Sequence, residues 1–264
     1  MKAQHITVIG GGNMGGAIAK GIVASKLLDA KSIIVTRRTA SALADWQAKG
    51  YEVTTDNKSA VKDADIIVFA VKPYLIMDVI AEVKESINPK ALCISVATGV
   101  SLSQLESALP QGMAIVRAMP NTAAEVGESV TALCPLNVTD DQLADAQEIF
   151  GKMGLAIVIE ESKMPAITAL ASCGIAHALR FIRAMMEAGI EMGLTSKQSA
   201  EIAAQTAKGA AQLILTNGSH PEVEVDKVCT PAGVTITGIN AMEHAGFTSA
   251  VIKGIMGSFN KIKS

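Results

Sequence analysis

Short apolar runs alternate with segments of helical periodicity through the first part of the chain. The runs predict seven strands, and each gap between them holds a helical pattern or a loop. We place these strands at residues 6–9, 32–35, 52–55, 66–71, 91–96, 114–117 and 156–160. Strands that alternate with helices are typical of a doubly wound, mostly parallel sheet with right-handed crossovers, so the sequence predicts an α/β fold.

The pattern changes after residue 161, where no further strand is predicted. Long helical periodicity covers residues 165–193 and 196–216, and shorter helices are expected after Pro231 and Gly246. We therefore expect two domains, with an α/β domain at residues 1–161 and an all-α domain at residues 162–264.

The first predicted strand leads into a glycine-rich turn that opens a helix. Gly10, Gly12 and Gly15 have the spacing G-x-G-x-x-G, with Asn13 and Met14 between the last two glycines. The first glycine permits a tight turn, the second lets backbone approach a pyrophosphate, and the third lets the helix pack on the strand. The anion would bind at the helix N-terminus. Such a turn can also simply close a loop, but its place between strand and helix favours a Rossmann-type dinucleotide site.

The end of the second predicted strand indicates which dinucleotide binds. Thr36-Arg37-Arg38 follows this strand, and no carboxylate is present to accept a hydrogen bond from a ribose 2'-hydroxyl. Two guanidinium groups suit a 2'-phosphate instead, so the sequence favours NADPH, with NADH possible. The alternative is that Arg37 and Arg38 are ordinary solvated arginines.

Two further strand ends are expected to line the cofactor cleft, because ligands of open α/β sheets bind outside the carboxyl ends of the strands. The residues concerned are Ala70, Val71, Lys72 and Pro73 on one strand end and Val96 and Ala97 on the next. Lys72 is equally consistent with a solvated lysine, with Pro73 starting the next helix. A third strand end carries Asn121, which either contacts a ligand or initiates a turn.

A segment near the C-terminus has the pattern of a loop entering a helix. Thr230 suits the N-cap of that helix, and Pro231 suits its first position. Free backbone N–H groups at residues 232–235 would then attract a carboxylate. Any helix start can have this pattern, so these residues alone leave both a binding site and a plain helix N-terminus open.

The composition is typical of a soluble cytoplasmic enzyme. The 264 residues are 49% hydrophobic, and the formal net charge of −2 gives no long-range attraction to nucleic acid. The four cysteines and four histidines lack metal-ligand spacing, so we expect no metal and regard the cysteines as core residues in a reducing compartment. No apolar run approaches the length of a membrane span and no signal peptide precedes the first strand, so no membrane partner is expected.

Five segments follow one another in a recognisable order. They are Gly10-Gly-Gly-Asn-Met-Gly15, Ala70-Val-Lys-Pro73, Arg117-Ala-Met-Pro-Asn-Thr122, Thr230-Pro-Ala-Gly-Val-Thr235 and Glu243-His-Ala-Gly-Phe247. In this order they resemble pyrroline-5-carboxylate reductases, and the resemblance spans nearly the whole chain. It implies reduction of 1-pyrroline-5-carboxylate to L-proline, the last step of proline biosynthesis, with NADPH or less often NADH bound to a Rossmann domain. It also implies a helical domain that forms a homodimer, which can assemble further into a decamer.

The resemblance assigns roles to individual residues. Thr235 corresponds to the threonine whose hydroxyl contacts the ring nitrogen of the substrate. The backbone at Gly233 and Val234, with the hydroxyl of Thr230, would hold the substrate carboxylate, and Asn57 resembles a cofactor contact. A protonated cyclic imine needs orientation rather than a strong acid, so Thr235 is expected to orient the substrate or relay a proton, and the origin of that proton stays open.

This chain departs from the family pattern on the substrate side. Where the family usually has Ser-Pro-Gly-Gly-Thr-Thr, the methyl group of Ala232 could restrict the loop, although it is compatible with a helical backbone, and Val234 replaces a threonine. Ile175 and His177 stand where a proline and a tyrosine are common, and Ser219 stands where many relatives carry glutamate. These changes fit either a divergent reductase or a shifted substrate.

Two other functions stay open at this point. A related NADP-dependent dehydrogenase, acting on a hydroxy acid or another cyclic imine, would commonly use a lysine of the helical domain. The candidates Lys163, Lys197, Lys208 and Lys227 lie in no convincing motif. An inactive NADP-binding sensor would bind NADPH without turnover; the altered substrate loop is its only support, and the retained Thr235 argues against it.

Overall fold

The computed structural model describes residues 1–263, which form two compact units. The first is Met1–Ser172, and the second begins at Cys173. The domain boundary predicted at residues 161/162 lies eleven residues before this division and stays a prediction.

The first unit is built on one eight-stranded sheet with the order β3-β2-β1-β4-β5-β6-β7-β8. The strands are β1 (Ile6–Ile9), β2 (Ile33–Thr36), β3 (Glu52–Thr54), β4 (Ile66–Phe69), β5 (Leu92–Ser95), β6 (Ala114–Met119), β7 (Ser129–Leu136) and β8 (Gly154–Val158). All neighbouring strands are parallel except β6 and β7. The predicted doubly wound, mostly parallel α/β fold is confirmed.

Helices cover both faces of this sheet. Those of the first unit are α1 (Asn13–Ala24), α2 (Ala44–Gln47), α3 (Asn57–Ala60), α4 (Ile76–Val83), α5 (Leu102–Ala108), α6 (Asp140–Gly151) and α7 (Met164–Ile167). Alternate strand residues enter two separate cores, with Val8 and Val68 in one and Ile67 and Phe69 in the other. Because the central strands are buried on both faces, they have the continuous apolar runs that made them easy to predict.

The sequence analysis missed β7. This strand contains Pro135, and a proline within an apolar run argues against a central strand. The structure explains why the proline is tolerated: β7 pairs with β8 only from Ser129 to Leu133, so Pro135 lies beyond the stretch that is flanked on both sides. The antiparallel pairing of β7 with β6 was likewise not predicted.

The second unit is helical. It contains α8 (Cys173–Glu191), α9 (Ser196–Asn217), α10 (Pro221–Val228), α11 (Val234–His244) and α12 (Phe247–Lys263). Helices α8 and α9 approach closely at Gly189, where an added Cβ would lie 2.7 Å from the Ser199 Oγ. Phe181 and Phe247 join α8 to α12, with ring centroids 6.0 Å apart. The all-α character of this part is confirmed, although α10 was not predicted.

One helical segment meets a simple criterion for membrane spans. Glu161–Glu191 is long and apolar enough to cross a membrane by length and composition, and only 11% of its apolar window is buried within the chain. The expectation that no stretch reaches this length does not hold on that criterion. The criterion alone is weak, because a helix that packs in a soluble protein also meets it.

Candidate active site

The glycine-rich turn joins β1 to α1 as predicted. Gly10 has a φ of +104°, which favours glycine, and a Cβ added there would lie 2.6 Å from the carbonyl oxygen of Ala70. A Cβ on Gly15 would overlap the carbonyl oxygen of Gly10. Around Gly12, by contrast, an added Cβ would meet nothing within 4 Å. Gly10 and Gly15 therefore permit close packing of β1, α1 and β4, and Gly12 leaves space beside the backbone.

That space opens into a cleft of about 760 Å³ at the carboxyl ends of the strands. The predicted cofactor residues that line it are Gly10, Gly12, Asn13, Met14, Arg37, Arg38, Asn57, Ala70, Val71, Lys72, Pro73, Val96 and Ala97. Gly15 is the one predicted member outside the lining, since it packs between helix and strand. Helix α1 has no side-chain cap, so its first N–H groups are available to an anion. The open turn and the uncapped helix fit a dinucleotide phosphate; individual ligand contacts stay predictions.

Several lining residues were missed by the sequence analysis. They include Thr36, Thr39, Asp78, Val79, Glu82, Met119 and Pro120. Thr36 and Met119 are the last residues of their strands, so the rule that found Ala70 and Val96 could have found them as well. Glu82 lies on α4, and no strand-end rule points to it.

The end of this cleft near β2 carries both cations and acids. Arg37 and Arg38 are exposed directly after β2. Thr36 is buried, and its hydroxyl donates a hydrogen bond to Asn57 Oδ1 at 2.6 Å. Asn57 Nδ2 in turn donates to Glu82 Oε2 at 3.3 Å. A buried strand end is therefore connected to a carboxylate in the cleft through one amide.

Helix α3 holds Asn57 in position through its N-cap. The Asp56 side chain accepts hydrogen bonds from the backbone N–H groups of Lys58 at 2.9 Å and Ser59 at 3.2 Å. The hydrogen bond from Ser59 is the main cause of a lowered pKa of Asp56, and that from Lys58 adds to it. This cap fixes the start of the short helix on which Asn57 is the first residue.

Lys72 and Pro73 show features of both interpretations offered by the sequence. Both residues line the cleft, while Lys72 is exposed and Pro73 begins a short 3-10 turn, Pro73–Leu75, that leads into α4. The proline therefore starts the next helical segment, and the lysine is placed where it can reach the cleft.

Asn121 initiates a turn. Its side chain is 5% exposed, with Oδ1 accepting from the backbone N–H of Ala123 at 3.0 Å and Nδ2 donating to the carbonyl of Ala171 at 3.2 Å. Ala171 lies in a π turn, Thr168–Ser172, which interrupts the regular helix. The neighbouring Arg117 donates to Glu161 at 2.6 Å. Asn121 and Arg117 thus support local structure, and Asn121 does not line the cleft.

A second cleft, of about 770 Å³, lies along α1 and shares Gly11, Gly12, Asn13 and Arg37 with the first. Trp46, the single tryptophan of the chain, lines it. A Cβ added to Gly16 on α1 would lie 3.2 Å from the Trp46 ring, so this ring packs against the helix that follows the glycine turn. Trp46 fluorescence is therefore placed to report on that turn.

The predicted substrate segment lies in the second unit, and its helix starts later than expected. Helix α11 begins at Val234 with Gly233 as its N-cap, rather than with Thr230 as the cap and Pro231 as the first helical residue. The reason is a tight turn in which the backbone N–H of Gly233 donates to the carbonyl of Thr230 at 2.9 Å. The N–H groups without an intrahelical partner are thus those of residues 234–236, and Thr235 is half-buried at this helix end.

Ala232 does not have the helical backbone that the sequence analysis allowed. Its φ is +57°, in the left-handed region that favours glycine. Gly233 is equally constrained, because an added Cβ would lie 2.9 Å from the Thr230 carbonyl oxygen. A glycine at position 232 would therefore suit this turn better than the alanine present here.

A hydrogen-bonded cluster around Glu224 precedes this segment. Its carboxylate accepts from Lys227 at 2.8 Å, from the Ser219 hydroxyl and from Asn217 at 3.2 Å. The hydrogen bond from Lys227, followed by those from Ser219 and Asn217, lowers the pKa of Glu224 to about 2. Ser219 thus donates to a glutamate five residues further on.

The other residues singled out in the sequence lie on helix α8 or are buried in the core. Ile175 and His177 lie on α8, and His177 Nδ1 is buried without a hydrogen-bond partner within the described chain. Cys93 and Cys134 are buried free thiols, and burial raises their pKa values to about 12 and about 11. Among residues 1–263, no group of three or more His, Cys, Asp or Glu side chains is arranged to hold a metal ion.

The Rossmann-type sheet, the open glycine turn and the cleft beside it define a dinucleotide-dependent oxidoreductase. Residues 5–99 match the family model described as NADP oxidoreductase, coenzyme F420-dependent, and residues 161–264 match the model for pyrroline-5-carboxylate reductase dimerisation. A pyrroline-5-carboxylate reductase from Methanosarcina acetivorans is 38% identical, with 100% of this chain and 98% of the relative covered. The chain belongs to the pyrroline-5-carboxylate reductase family.

Three further relatives support this family assignment. Pyrroline-5-carboxylate reductase 1 of Dictyostelium discoideum is 43% identical over 98% of this chain, which spans about half the length of that relative. The structure of a pyrroline-5-carboxylate reductase from Coxiella burnetii has a TM-score of 0.93 and 33% identity, with 98% and 97% of the two chains covered. A Plasmodium falciparum pyrroline carboxylate reductase with NADP bound has a TM-score of 0.87 and 26% identity, with 100% and 98% covered.

Proposed function

We propose that this protein reduces 1-pyrroline-5-carboxylate to L-proline with NADPH, the last step of proline biosynthesis, in the cytoplasm. The observation that carries the proposal is that the family relationship covers both the cofactor-binding part and the helical part of the chain. Use of NADPH is supported by the open space at Gly12, by the two exposed arginines after β2, and by the NADP-bound relative.

The residues of the first cleft are proposed to bind and orient NADPH. The N–H groups of residues 13–15 at the start of α1 bind the pyrophosphate, and Arg37 and Arg38 bind the 2'-phosphate. When bound, NADPH supplies the hydride. The residues at the ends of β4 and β5, which line the same cleft, would hold the rest of the cofactor.

The substrate residues orient a cyclic imine. The N–H groups of residues 234–236 and the dipole of α11 attract the carboxylate, since both favour negative charge at a helix N-terminus. The Thr235 hydroxyl contacts the ring nitrogen. Hydride adds to the carbon of the protonated C=N bond and the proton remains on nitrogen, so the protein needs to supply orientation rather than a strong acid.

The role of Thr235 is tested by removing and restoring its hydroxyl. Thr235→Ala is expected to lower kcat by about tenfold to a hundredfold, the range for one hydrogen bond to a charged group, with little change in NADPH affinity. Thr235→Ser keeps the hydroxyl and should recover most of the activity. Unchanged steady-state kinetics in Thr235→Ala would reject this role.

The proposed reaction is tested by following NADPH oxidation with 1-pyrroline-5-carboxylate and identifying proline as the product. A six-membered cyclic imine and a hydroxy acid serve as comparison substrates. Turnover to proline with the highest kcat/KM is the expected result. Turnover of the hydroxy acid alone would favour a related dehydrogenase, and NADPH binding without any turnover would favour a sensor.

We also propose that the helical unit forms a homodimer, with a decamer as the further assembly. The match to a dimerisation model supports this, as do large apolar side chains left exposed within the single chain. Examples from α9, α10 and α12 are Leu213, Leu215, Val228, Val251 and Ile252. Light scattering during gel filtration gives the assembly directly, and a monomer at micromolar concentration would overturn the proposal.

A further inference from the structure

Glu82 brings a carboxylate to the end of the cofactor cleft where the sequence predicted only cations. A Rossmann-type site holds the adenosine ribose near the carboxyl end of its second strand, and β2 ends here with Thr36 and then Arg37-Arg38. Glu82 comes from a different element, α4, and lines the same cleft as the two arginines. The site therefore combines groups suited to a 2'-phosphate with a group suited to a 2'-hydroxyl.

Asn57 connects this carboxylate to the strand end. The hydroxyl of Thr36 donates to Asn57 Oδ1 at 2.6 Å, so the amide oxygen faces β2 and the amide nitrogen faces away from it. Asn57 Nδ2 then donates to Glu82 Oε2 at 3.3 Å. Both contacts agree on a single orientation of the amide, and the Asp56 cap holds the backbone beneath it.

We infer that Glu82 determines how strongly this protein discriminates between NADPH and NADH. Its negative charge limits the affinity for a 2'-phosphate bound by Arg37 or Arg38, and its oxygens accept hydrogen bonds from the ribose hydroxyls of NADH. The inference rests on the proposed function, because it concerns the same cofactor site.

The size of the effect follows from Coulomb's law. For a carboxylate and a phosphate carrying nearly two negative charges in one cleft, repulsion in a water-like dielectric corresponds to a change in affinity on the order of fivefold. Glu82 is exposed, so this repulsion is screened by salt, with a Debye length of about 10 Å at 0.1 M and about 3 Å at 1 M. A charge effect should therefore shrink at high salt, whereas a packing effect should not.

The test is calorimetric titration of the full-length protein and its Glu82→Gln variant with NADPH and with NADH. Glutamine keeps the side-chain length, and its amide oxygen can still accept from Asn57, so the substitution removes the charge without removing the contact. Glu85→Gln is the matched control: Glu85 is exposed just after α4, pairs with Lys84, and does not line the cleft. Each titration is run at low and at high salt.

We expect Glu82→Gln to bind NADPH about fivefold more tightly at low salt and to bind NADH no better than the wild type. The gain should fall at high salt, and Glu85→Gln should leave the ratio of the two affinities unchanged. An unchanged ratio in Glu82→Gln, or equal changes for both cofactors, would overturn the inference while leaving the proposed function intact. A wild-type protein that binds neither cofactor would instead overturn the proposed function and this inference together.

Discussion

Ala232 is a site at which replacement by glycine should stabilise the protein. Its φ of +57° lies in the left-handed region, where a residue with a Cβ is disfavoured by about 1–2 kcal/mol. Glycine avoids that cost. It is also more flexible in the unfolded chain, and this offsets about 0.4–1 kcal/mol of the gain in stability. The difference predicts that Ala232→Gly raises the free energy of unfolding by about 0.5–1 kcal/mol. For a chain of this size, this corresponds to a rise in Tm of about 1–4 °C.

The assay is thermal unfolding by circular dichroism at fixed protein concentration, because self-association makes Tm depend on concentration. Ala241→Gly provides the matched control, since Ala241 is an exposed residue inside α11, where glycine costs about 1 kcal/mol relative to alanine. The two substitutions make the same chemical change and should shift Tm in opposite directions. A decrease in Tm for Ala232→Gly similar to that for Ala241→Gly would refute the reasoning.

Three further predictions concern the glycine turn, the arginines and the Glu224 cluster. Gly15→Ala should destabilise the fold because its Cβ overlaps the Gly10 carbonyl, whereas Gly12→Ala should keep the wild-type Tm and weaken NADPH binding, as measured by quenching of the tryptophan fluorescence. Replacing both Arg37 and Arg38 with alanine should weaken NADPH by about tenfold or more and NADH much less, as measured by titration calorimetry. For Glu224, the pKa is lowered, so its contribution to stability is present above the unfolded value of 4.5 and is lost as the pH falls towards about 2. The Tm difference between wild type and Glu224→Gln should therefore be largest near neutral pH and narrow below pH 4.5.

Each of these predictions has a contrary outcome. Equal loss of stability in the two glycine variants would show that the space beside Gly12 is not free. Equal weakening of NADPH and NADH would remove the role of the arginines in binding a 2'-phosphate. A Tm difference for Glu224→Gln that does not change with pH would mean that the lowered pKa of Glu224 is not linked to folding.

The α/β fold could be predicted because its signals are local. An apolar run predicts a buried parallel strand wherever it occurs, and the spacing of Gly10, Gly12 and Gly15 depends only on the turn that joins β1 to α1. Strand β7 was missed because its proline is acceptable only where β8 no longer pairs with it. That pairing is set by tertiary structure and has no local signal.

The start of α11 could not be predicted for a different reason. Thr230 and Pro231 have the residue preferences of an N-cap and a first helical position, and a tight turn overrides them. The turn depends on the close approach of Gly233 to the Thr230 carbonyl and on the left-handed backbone of Ala232. A sequence pattern gives no warning of the second feature, because alanine is rarely found in that conformation.

The cofactor end of the site shows how an incomplete sequence rule leads to an incomplete chemical picture. The rule considers only the residues that follow β2. Because these are Arg37 and Arg38 and not an acid, it predicts that a 2'-phosphate is favoured. It does not examine α4, which contributes Glu82 through the contact with Asn57. Since cofactor preference is a difference between two affinities, a nearby acid contributes to it as well as the arginines. If Glu82 acts as proposed, the preference would depend on residues from three separate elements, and sequence positions near the end of β2 would be insufficient to set it.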